Sequence, residues 1–253
     1  MKYLDLLDEI DSEVLHRQDF LETILKLHPN YNTGSFNRHF SKLLSSGFIE
    51  RVGEDLYIKV TPDTARYLYT YMTPSLELSE IEIFLSTEFP LVDFIILETI
   101  QLNEFLNHQI SLNSIIVMVE RLLMDAVFER LKVKFPSILF APKPEEYQRY
   151  GSNGTIIVDK LSSRYPKNLK QRHRFSIEKL VVDLFAEKVI KMMVSIGDYP
   201  EALDIAFKRY IVNETRLFNY AKSRYVDAEI RMMIRNQTSI RLFTEEGIRR
   251  NAK

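Results

Sequence analysis

The sequence predicts an α+β protein built from two domains. Its first 60 residues combine amphipathic helical patterns with two short alternating runs, its middle contains several β-branched runs, and the chain from Ser176 onward is helical in pattern. The chain has 253 residues, 45% of them hydrophobic, which is enough for the cores of one or two domains. We predict an N-terminal domain over residues 1–62, a linker over 63–75 and a mixed α/β domain over 76–253 that ends in a helical bundle.

Three helical patterns and a hairpin pattern make up the N-terminal domain. MKYLDLLDEI and VLHRQDFLETILKLHP have helical apolar spacing, and Pro29 ends the second helix. A third helix follows in NTGSFNRHFSKLLSS, and Gly47 ends it. Its apolar face consists of Phe36, Phe40, Leu43 and Leu44. FIERV and DLYIKV alternate around GE, which predicts a short hairpin. This order of elements is that of a winged helix-turn-helix.

The rest of the chain alternates helices and strands before it becomes helical. TPDTARYLYTYMTPSLELS, with Pro62 and Pro74, contains the domain boundary. SLELSEIEIFLSTEF and ERLLMDAVFERLKVKF predict helices, and KPEEYQRYG a short helix or loop. LVDFIIL, SIIVMVE, SILFAP and TIIVDKL predict strands whose order in the sheet stays open. Four helical stretches end the chain, namely SIEKLVVDLFAEKVIKMM, YPEALDIAFKRYI, ETRLFNYAKSRY and DAEIRMMIRN.

Composition excludes several classes of function. The chain contains no cysteine, so thiol catalysis, disulfides and thiolate metal sites are excluded. Its five histidines lack HExxH spacing, and we predict no metal and no cofactor. The acidic N-terminus is not a signal peptide, and the apolar runs are too short to cross a bilayer, so we expect a cytoplasmic protein without a membrane partner. The formal net charge of −1 gives no global field for nucleic acid.

The third helix has a polar face without any acid, and that face predicts DNA contact. In a winged helix-turn-helix this helix enters the major groove, where Arg and Asn read base edges and Ser, Thr and Lys reach phosphates. Residues 32–60 carry four bases and three acids, a net of +1, whereas residues 1–31 carry three bases and seven acids, a net of −4. The predicted DNA-contacting residues are Thr33, Ser35, Asn37, Arg38, Ser41, Lys42, Ser45 and, in the first strand of the hairpin, Arg51.

Two patterns suggest enzymes, but both are incomplete. Gly151 and Ser152 precede Asp159, as in nucleotidyltransferases, yet Leu161 occupies the place of the second metal-binding acid. A nuclease could use Asp93 and Glu98 with Glu120, but the chain contains no Glu-x-Lys. We therefore predict that the protein is not an enzyme. The alternatives are a divergent metal-dependent nuclease or nucleotidyltransferase, a winged-helix regulator with a ligand-sensing α/β domain, and a protein-docking module.

Two further segments are basic. Residues 160–179 carry seven bases and one acid, a net of +6, in a predicted loop. That loop either is solvated or binds RNA, a nucleotide or an acidic partner. Its basic residues before the next helix are Lys160, Arg164, Lys167, Lys170, Arg172 and Arg174. The chain end is predicted to be a disordered basic tail that includes Arg231, Arg235, Arg241, Arg249, Arg250 and Lys253.

The whole layout resembles the AbiEi antitoxins of type IV toxin-antitoxin systems, which act in abortive infection and phage defence. The resemblance lies in the short N-terminal domain, the Tyr/Pro linker, the α/β segment and RHRFSIEKLVVDLFAEK, in which Glu178, Lys179, Leu180 and Asp183 open a helix after a basic loop. It implies a non-enzymatic autorepressor that binds inverted repeats in its own promoter. It also implies that the C-terminal domain neutralises a nucleotidyltransferase-like toxin, with or without direct contact.

Overall fold

The computed structural model describes residues 3–61 and 66–245 and confirms the α+β class. The chain divides into two compact units. Among the described residues, unit 1 contains 3–61, 66–67, 211–216 and 241–245, and unit 2 contains 68–210 and 217–240. Two C-terminal segments thus group with the N-terminal residues, which no sequence pattern indicated. Residues 62–65, where the predicted linker begins, lie outside the described part of the chain.

Unit 1 combines three helices with a small antiparallel sheet. Its elements are α1 (Tyr3–Asp8), β1 (Val14–Leu15), α2 (Arg17–Leu27), α3 (Phe36–Ser45), β2 (Ile49–Gly53) and β3 (Leu56–Lys59). The sheet order is β1-β3-β2, and β1, a strand of two residues, was not predicted. The hairpin turn is Glu54–Asp55 rather than Gly53–Glu54, and Asp55 takes the left-handed conformation with φ of 50°.

The core of unit 1 fixes the orientation of α3. The Phe40 ring packs edge-on against Phe20 at 5.2 Å and against Tyr57 at 4.9 Å between ring centroids. Phe36 and Leu43 are buried on the same side, and Leu44 is half-buried. The predicted apolar face of α3 is therefore confirmed, because residues three and four apart share one side of a helix.

Unit 2 begins with a four-stranded sheet. Its elements are α4 (Leu76–Glu88), β4 (Phe94–Glu98), β5 (Ser114–Val119), α5 (Met124–Lys134), β6 (Ile138–Phe140), α6 (Pro144–Tyr150) and β7 (Thr155–Lys160). The order is β4-β5-β7-β6, in which β4 is antiparallel to β5 and the other neighbours are parallel. Ile115 and Val117 of β5 pack in one core with α4 and α5, while Ile116 between them is buried as well. Burial of both faces explains the continuous apolar run of β5.

Further helices follow the sheet, and all of their residues belong to unit 2 except 214–216, which belong to unit 1. They are α7 (Ile177–Ala186), α8 (Lys188–Met193), α9 (Tyr199–Arg209), α10 (Glu214–Ser223) and α11 (Asp227–Gln237). The stretch predicted as one helix, SIEKLVVDLFAEKVIKMM, is two, because Glu187 is extended with φ of −87° and ψ of 123°. Its buried carboxylate accepts a bond from Arg224 at 3.4 Å. Across the described residues, none of the helices is both long and apolar enough to cross a membrane.

Candidate nucleic-acid interface

Helix α3 presents a polar face on the side opposite the core of unit 1. Arg38 and Lys42 stand one turn apart on this face and are exposed. Asn37, Ser41 and Ser45 are exposed beside them. The same periodicity that buries Phe40 turns these side chains outward, so the predicted surface exists as a continuous exposed stripe. Nothing acidic lies within α3 itself.

A short turn shapes the beginning of α3. The side-chain oxygen of Asn32 accepts a hydrogen bond from the backbone N–H of Gly34 at 3.0 Å. This bond holds a 3₁₀ turn over Thr33–Ser35, which leads directly into the α-helix. Thr33 is exposed and Ser35 is half-buried. The helix start is therefore lined by small side chains, which allow a partner surface to approach the backbone.

Arg17 joins this surface, although sequence reasoning missed it. Its guanidinium lies over the rings of Phe36 and Phe40, 5.4 Å and 5.0 Å from their centroids. It also donates a hydrogen bond to the side-chain oxygen of Asn37. Arg17 comes from α2, so a contact across 20 residues brings it to α3, and no local period could reveal it. The α3 face is defined below as Arg17, Asn37, Arg38, Ser41, Lys42 and Ser45.

The hairpin adds one exposed cation, and its turn is acidic. Arg51 is exposed on β2, and its Nε donates to the carbonyl of Gly53 at 3.0 Å. At the turn, the backbone N–H of Glu54 donates to Thr215 Oγ1 at 2.9 Å. Asp55 accepts a bond from the backbone N–H of Arg17 at 3.3 Å. The turn is thus held by contacts within unit 1. Within the hairpin, the exposed Arg51 is the residue suited to contact a phosphate.

Arg174 of the predicted basic loop is not a surface residue. It is 7% exposed and donates a hydrogen bond to Glu82 at 2.5 Å. The neighbouring His173 accepts a bond from the Ile96 N–H at 2.8 Å through its carbonyl, and its ring stacks on Phe94 at 4.0 Å. This segment covers the edge strand β4, which would otherwise present unpaired backbone groups.

The other members of the predicted basic loop lie at the surface. Lys167 is exposed and pairs with Asp93 at 2.9 Å. The remaining exposed cations are Lys160, Arg164, Lys170 and Arg172. Lys160 is the last residue of β7 rather than part of a loop. The predicted loop is therefore an ordered segment with five exposed cations and one buried cation.

Of the acids suggested for an enzyme, Glu98 lies apart from the others, whereas Asp93 and Glu120 adjoin the paired residues Phe94 and Val119 at the same end of the β4–β5 ladder. Asp93 and Glu98 lie at opposite ends of β4, and Glu98 is 1% exposed. It accepts bonds from the Tyr71 hydroxyl at 2.9 Å, the Ser75 N–H at 3.0 Å and Asn113 at 2.9 Å, which is a structural role. Within residues 3–61 and 66–245 we find no group of three or more His, Asp or Glu side chains that could hold a metal ion.

The prediction of a disordered basic tail is wrong for Arg231, Arg235 and Arg241. Arg231 and Arg235 lie in α11. Arg241 pairs with Glu13 at 2.7 Å within unit 1. Arg249, Arg250 and Lys253 lie outside the described residues.

The structure thus defines an α+β protein whose first unit exposes a basic helical face. The chain belongs to DUF6577, a family of unknown function whose family model matches residues 35–240. No curated protein matches it. Among solved structures, the crystal structure of RV2827C protein from Mycobacterium tuberculosis is similar at 10% identity over 92% of this chain and 79% of that chain. Its TM-score of 0.24 is too low to support an inference about fold or function.

Proposed function

We propose that the protein is a DNA-binding autorepressor that contacts its own promoter through the α3 face. The observation that carries this proposal is the segregation of α3 into a buried aromatic side and an exposed side without acids. Such segregation alone would suit any solvated helix. The addition of Arg17, held over two aromatic rings against Asn37, makes this face a cationic surface assembled from two helices.

The order of elements in unit 1 supports a groove-reading role. Helix, strand, two helices and a hairpin follow one another, and the three strands form one antiparallel sheet. A winged helix-turn-helix has this order, and its second helix of the turn enters the major groove with its early residues at base edges. In this arrangement α3 is the reading helix, and Asn37 and Arg38 in its first turn are the residues nearest to the bases.

Each member of the α3 face has a chemical role in the proposal. Arg38 reads guanine through two hydrogen bonds, a contact worth roughly 1–3 kcal/mol of discrimination. Lys42 and Ser45 reach phosphates and fix the register. Arg17 orients the Asn37 amide and contributes charge. With about three phosphate contacts per copy, the affinity would fall with a log–log salt slope of roughly −3, so we expect two copies to bind an inverted repeat.

The proposed antitoxin activity depends on the AbiEi resemblance. We propose that the operon partner is a nucleotidyltransferase-like toxin and that unit 2 is needed to neutralise it. The motif that carries the resemblance forms the core of unit 2, because Glu178, Lys179, Leu180 and Asp183 are each at most 4% exposed. Any direct contact with the toxin must therefore use other residues, and the motif supports unit 2 from inside.

DNA binding is tested by fluorescence anisotropy with the upstream DNA of the gene and with random DNA, at two salt concentrations. We expect salt-sensitive binding that favours the upstream DNA. Arg38→Ala and Lys42→Ala should each weaken it by roughly 5- to 100-fold, equivalent to about 1–3 kcal/mol. Lys26→Ala removes one exposed charge from α2 and serves as the matched control, which should bind as the parent does. Full binding by the Arg38/Lys42 double variant would refute the assignment of α3.

Antitoxin activity is tested by co-expression with the neighbouring gene of the operon. We expect the full chain to restore growth when that gene is toxic. The Arg38→Ala/Lys42→Ala variant should still restore growth from an independent promoter, while it fails to repress a reporter driven by the native promoter. If the variant lost both repression and growth rescue, the proposed assignment of repression to the α3 face and of neutralisation to unit 2 would be contradicted. If the parent chain gave no rescue, the antitoxin role alone would be refuted.

A further inference from the structure

Unit 2 contains two adjoining crevices that the proposed DNA contact does not use. Their volumes are about 530 Å³ and about 350 Å³, within the size range of small-molecule sites. Lys160, Ser162 and Ser223 line both, so the two crevices adjoin at these residues. All of the lining residues belong to unit 2.

The crevices lie at the carboxyl end of the parallel strands. β5, β7 and β6 run in the same direction, and the crevices open where β5 and β7 end, at Glu120 and Lys160. In open α/β sheets, ligands bind outside the carboxyl ends of the strands. The position therefore indicates a ligand site independently of the charge of its walls.

The walls carry more positive than negative charge. Six cations line the two crevices, against four acids, a formal balance of +2. Two of these groups already have partners. Asp93 pairs with Lys167 at 2.9 Å and accepts a bond from the Tyr165 hydroxyl at 2.9 Å. Arg224 pairs with Glu187, another of the four acids, at 3.4 Å. The six cations are Arg121, Lys143, Lys160, Arg164, Lys188 and Arg224.

One of these cations is fixed in place by a buried network. Arg224 lies 3.5 Å from Asp183, 3.4 Å from Glu187 and 3.2 Å from the Tyr220 hydroxyl, and 18% of its side chain is exposed. Behind it, Lys179 is fully buried and pairs with Asp183. This network fixes the Arg224 guanidinium at the wall of the smaller crevice.

The larger crevice offers a different chemistry from the smaller one. Its wall includes the half-buried ring of Tyr165, the hydroxyls of Ser162 and Ser163 and the exposed carboxylate of Glu120. An aromatic ring beside hydrogen-bonding groups suits a base and a ribose. The smaller crevice, with Lys143, Lys188 and Arg224, suits phosphates.

We propose that these crevices bind a nucleoside di- or triphosphate, with the phosphates at Lys160, Lys188 and Arg224 and the base beside Tyr165. The two volumes and the wall that the crevices share at Lys160 match a ligand that has an aromatic end and an anionic end. Unit 2 is then a nucleotide-binding module in a chain whose first unit contacts DNA. No chemical step on the nucleotide is part of this proposal.

The test is isothermal titration calorimetry of the full chain with ATP, GTP and pyrophosphate, without divalent cations. We expect saturable binding of at least one of the two nucleotides. Lys160→Ala/Lys188→Ala should weaken it at least tenfold, and both side chains are exposed, so the fold is preserved. Lys132→Ala/Lys208→Ala removes two exposed charges of unit 2 away from the crevices and should leave affinity unchanged. Absence of saturable binding of ATP and GTP at millimolar concentration overturns the proposal.

Two further results decide the orientation. Tyr165→Leu should weaken nucleotide binding at least fivefold and leave pyrophosphate binding unchanged. If Lys132→Ala/Lys208→Ala lowered nucleotide affinity as much as Lys160→Ala/Lys188→Ala does, the effect would be one of overall charge, and the assigned site would be overturned. Unchanged nucleotide affinity in Tyr165→Leu, together with pyrophosphate binding as tight as that of ATP, would overturn the nucleoside assignment.

Discussion

Helices α3 and α7 are each ten residues long, but the charged side chains of α3 are exposed whereas those of α7 are buried. In α3 the charged side chains Arg38 and Lys42 are exposed, and only the apolar stripe is buried. In α7 nine of the ten residues are buried, among them Glu178, Lys179 and Asp183. A charged residue within a helical sequence pattern therefore marks a ligand-binding surface only when the tertiary structure leaves its side chain exposed.

The difference has an energetic basis. An exposed charge keeps its hydration and can exchange it for a partner at little cost. A buried charge has lost its hydration and depends on its partner, here Asp183 for Lys179. Burial lowers the pKa of Lys179, and the nearby Asp183 opposes that shift. The charges of α7 therefore belong to the architecture of unit 2, whereas those of α3 lie at the surface.

The largest effect is expected in α7. Asp183→Ala leaves Lys179 without its carboxylate in a fully buried site, and we expect a loss of about 3–5 kcal/mol in the free energy of unfolding. Urea denaturation followed by circular dichroism measures it. The double variant Lys179→Met/Asp183→Leu should lose much less, since it removes both charges together. A single variant as stable as the parent would show that Lys179 is not held by this pair.

A comparable loss is expected on the buried side of α3. Phe40→Ala removes a ring packed between Phe20 and Tyr57, and we expect a loss of about 3–5 kcal/mol. Arg38→Ala, two residues earlier on the exposed side, is the control and should leave the thermal melting curve within error. An unchanged curve for Phe40→Ala would mean that the two faces of α3 are interchanged.

Glu187, at the end of α7, should make the stability of the protein depend on pH. Burial, followed by the charges of Asp159 and Asp183, raises the pKa of Glu187 from 4.5 to about 7. A raised carboxyl pKa favours the folded state below pH 4.5, and this contribution is lost as pH rises through about 7. Glu187→Gln should therefore be more stable than the parent at pH 8, by up to about 3 kcal/mol.

The same measurement at acid pH provides the control for Glu187. Near pH 4.5 the Glu187→Gln variant and the parent should unfold at nearly the same denaturant concentration, because the parent carboxyl is then protonated in the folded state. A stability difference that does not vary between pH 4.5 and pH 8 would show that the carboxylate is not disfavoured by its surroundings.

The smallest effects are expected at the two helix starts. Ser176 accepts a bond from the Lys179 N–H at 3.2 Å and also donates to the Pro166 carbonyl at 2.9 Å, in a buried site. Asn32 makes its single capping bond to Gly34 at the surface. We expect Ser176→Ala to lose about 2 kcal/mol and Asn32→Ala about 1 kcal/mol or less. Thermal melting of the two variants measures these losses. A larger loss for Asn32→Ala than for Ser176→Ala would contradict the effect expected from burial.

Much of the fold was predictable because it is encoded locally. Helical periodicity identified the buried side of α3, and β-branched runs identified β4, β5 and β7. The predicted exposure of Arg38 and Lys42 followed from the same period. The break between α7 and α8 at Glu187 was not predicted, and the residue that pairs with its carboxylate, Arg224, lies 37 positions later in the chain.

The α+β class and the faces of the amphipathic helices follow from local sequence, because neighbouring residues carry a period of 3.6 or 2. The tertiary structure fixed the burial and the partners of charges that no helical period covers. It placed Arg17 over the rings of α3, buried Arg174 against Glu82, and separated Asp93 from Glu98 at the two ends of β4. The physical reason is that burial and ion pairing join residues far apart in the chain, and local spacing carries no information about those partners.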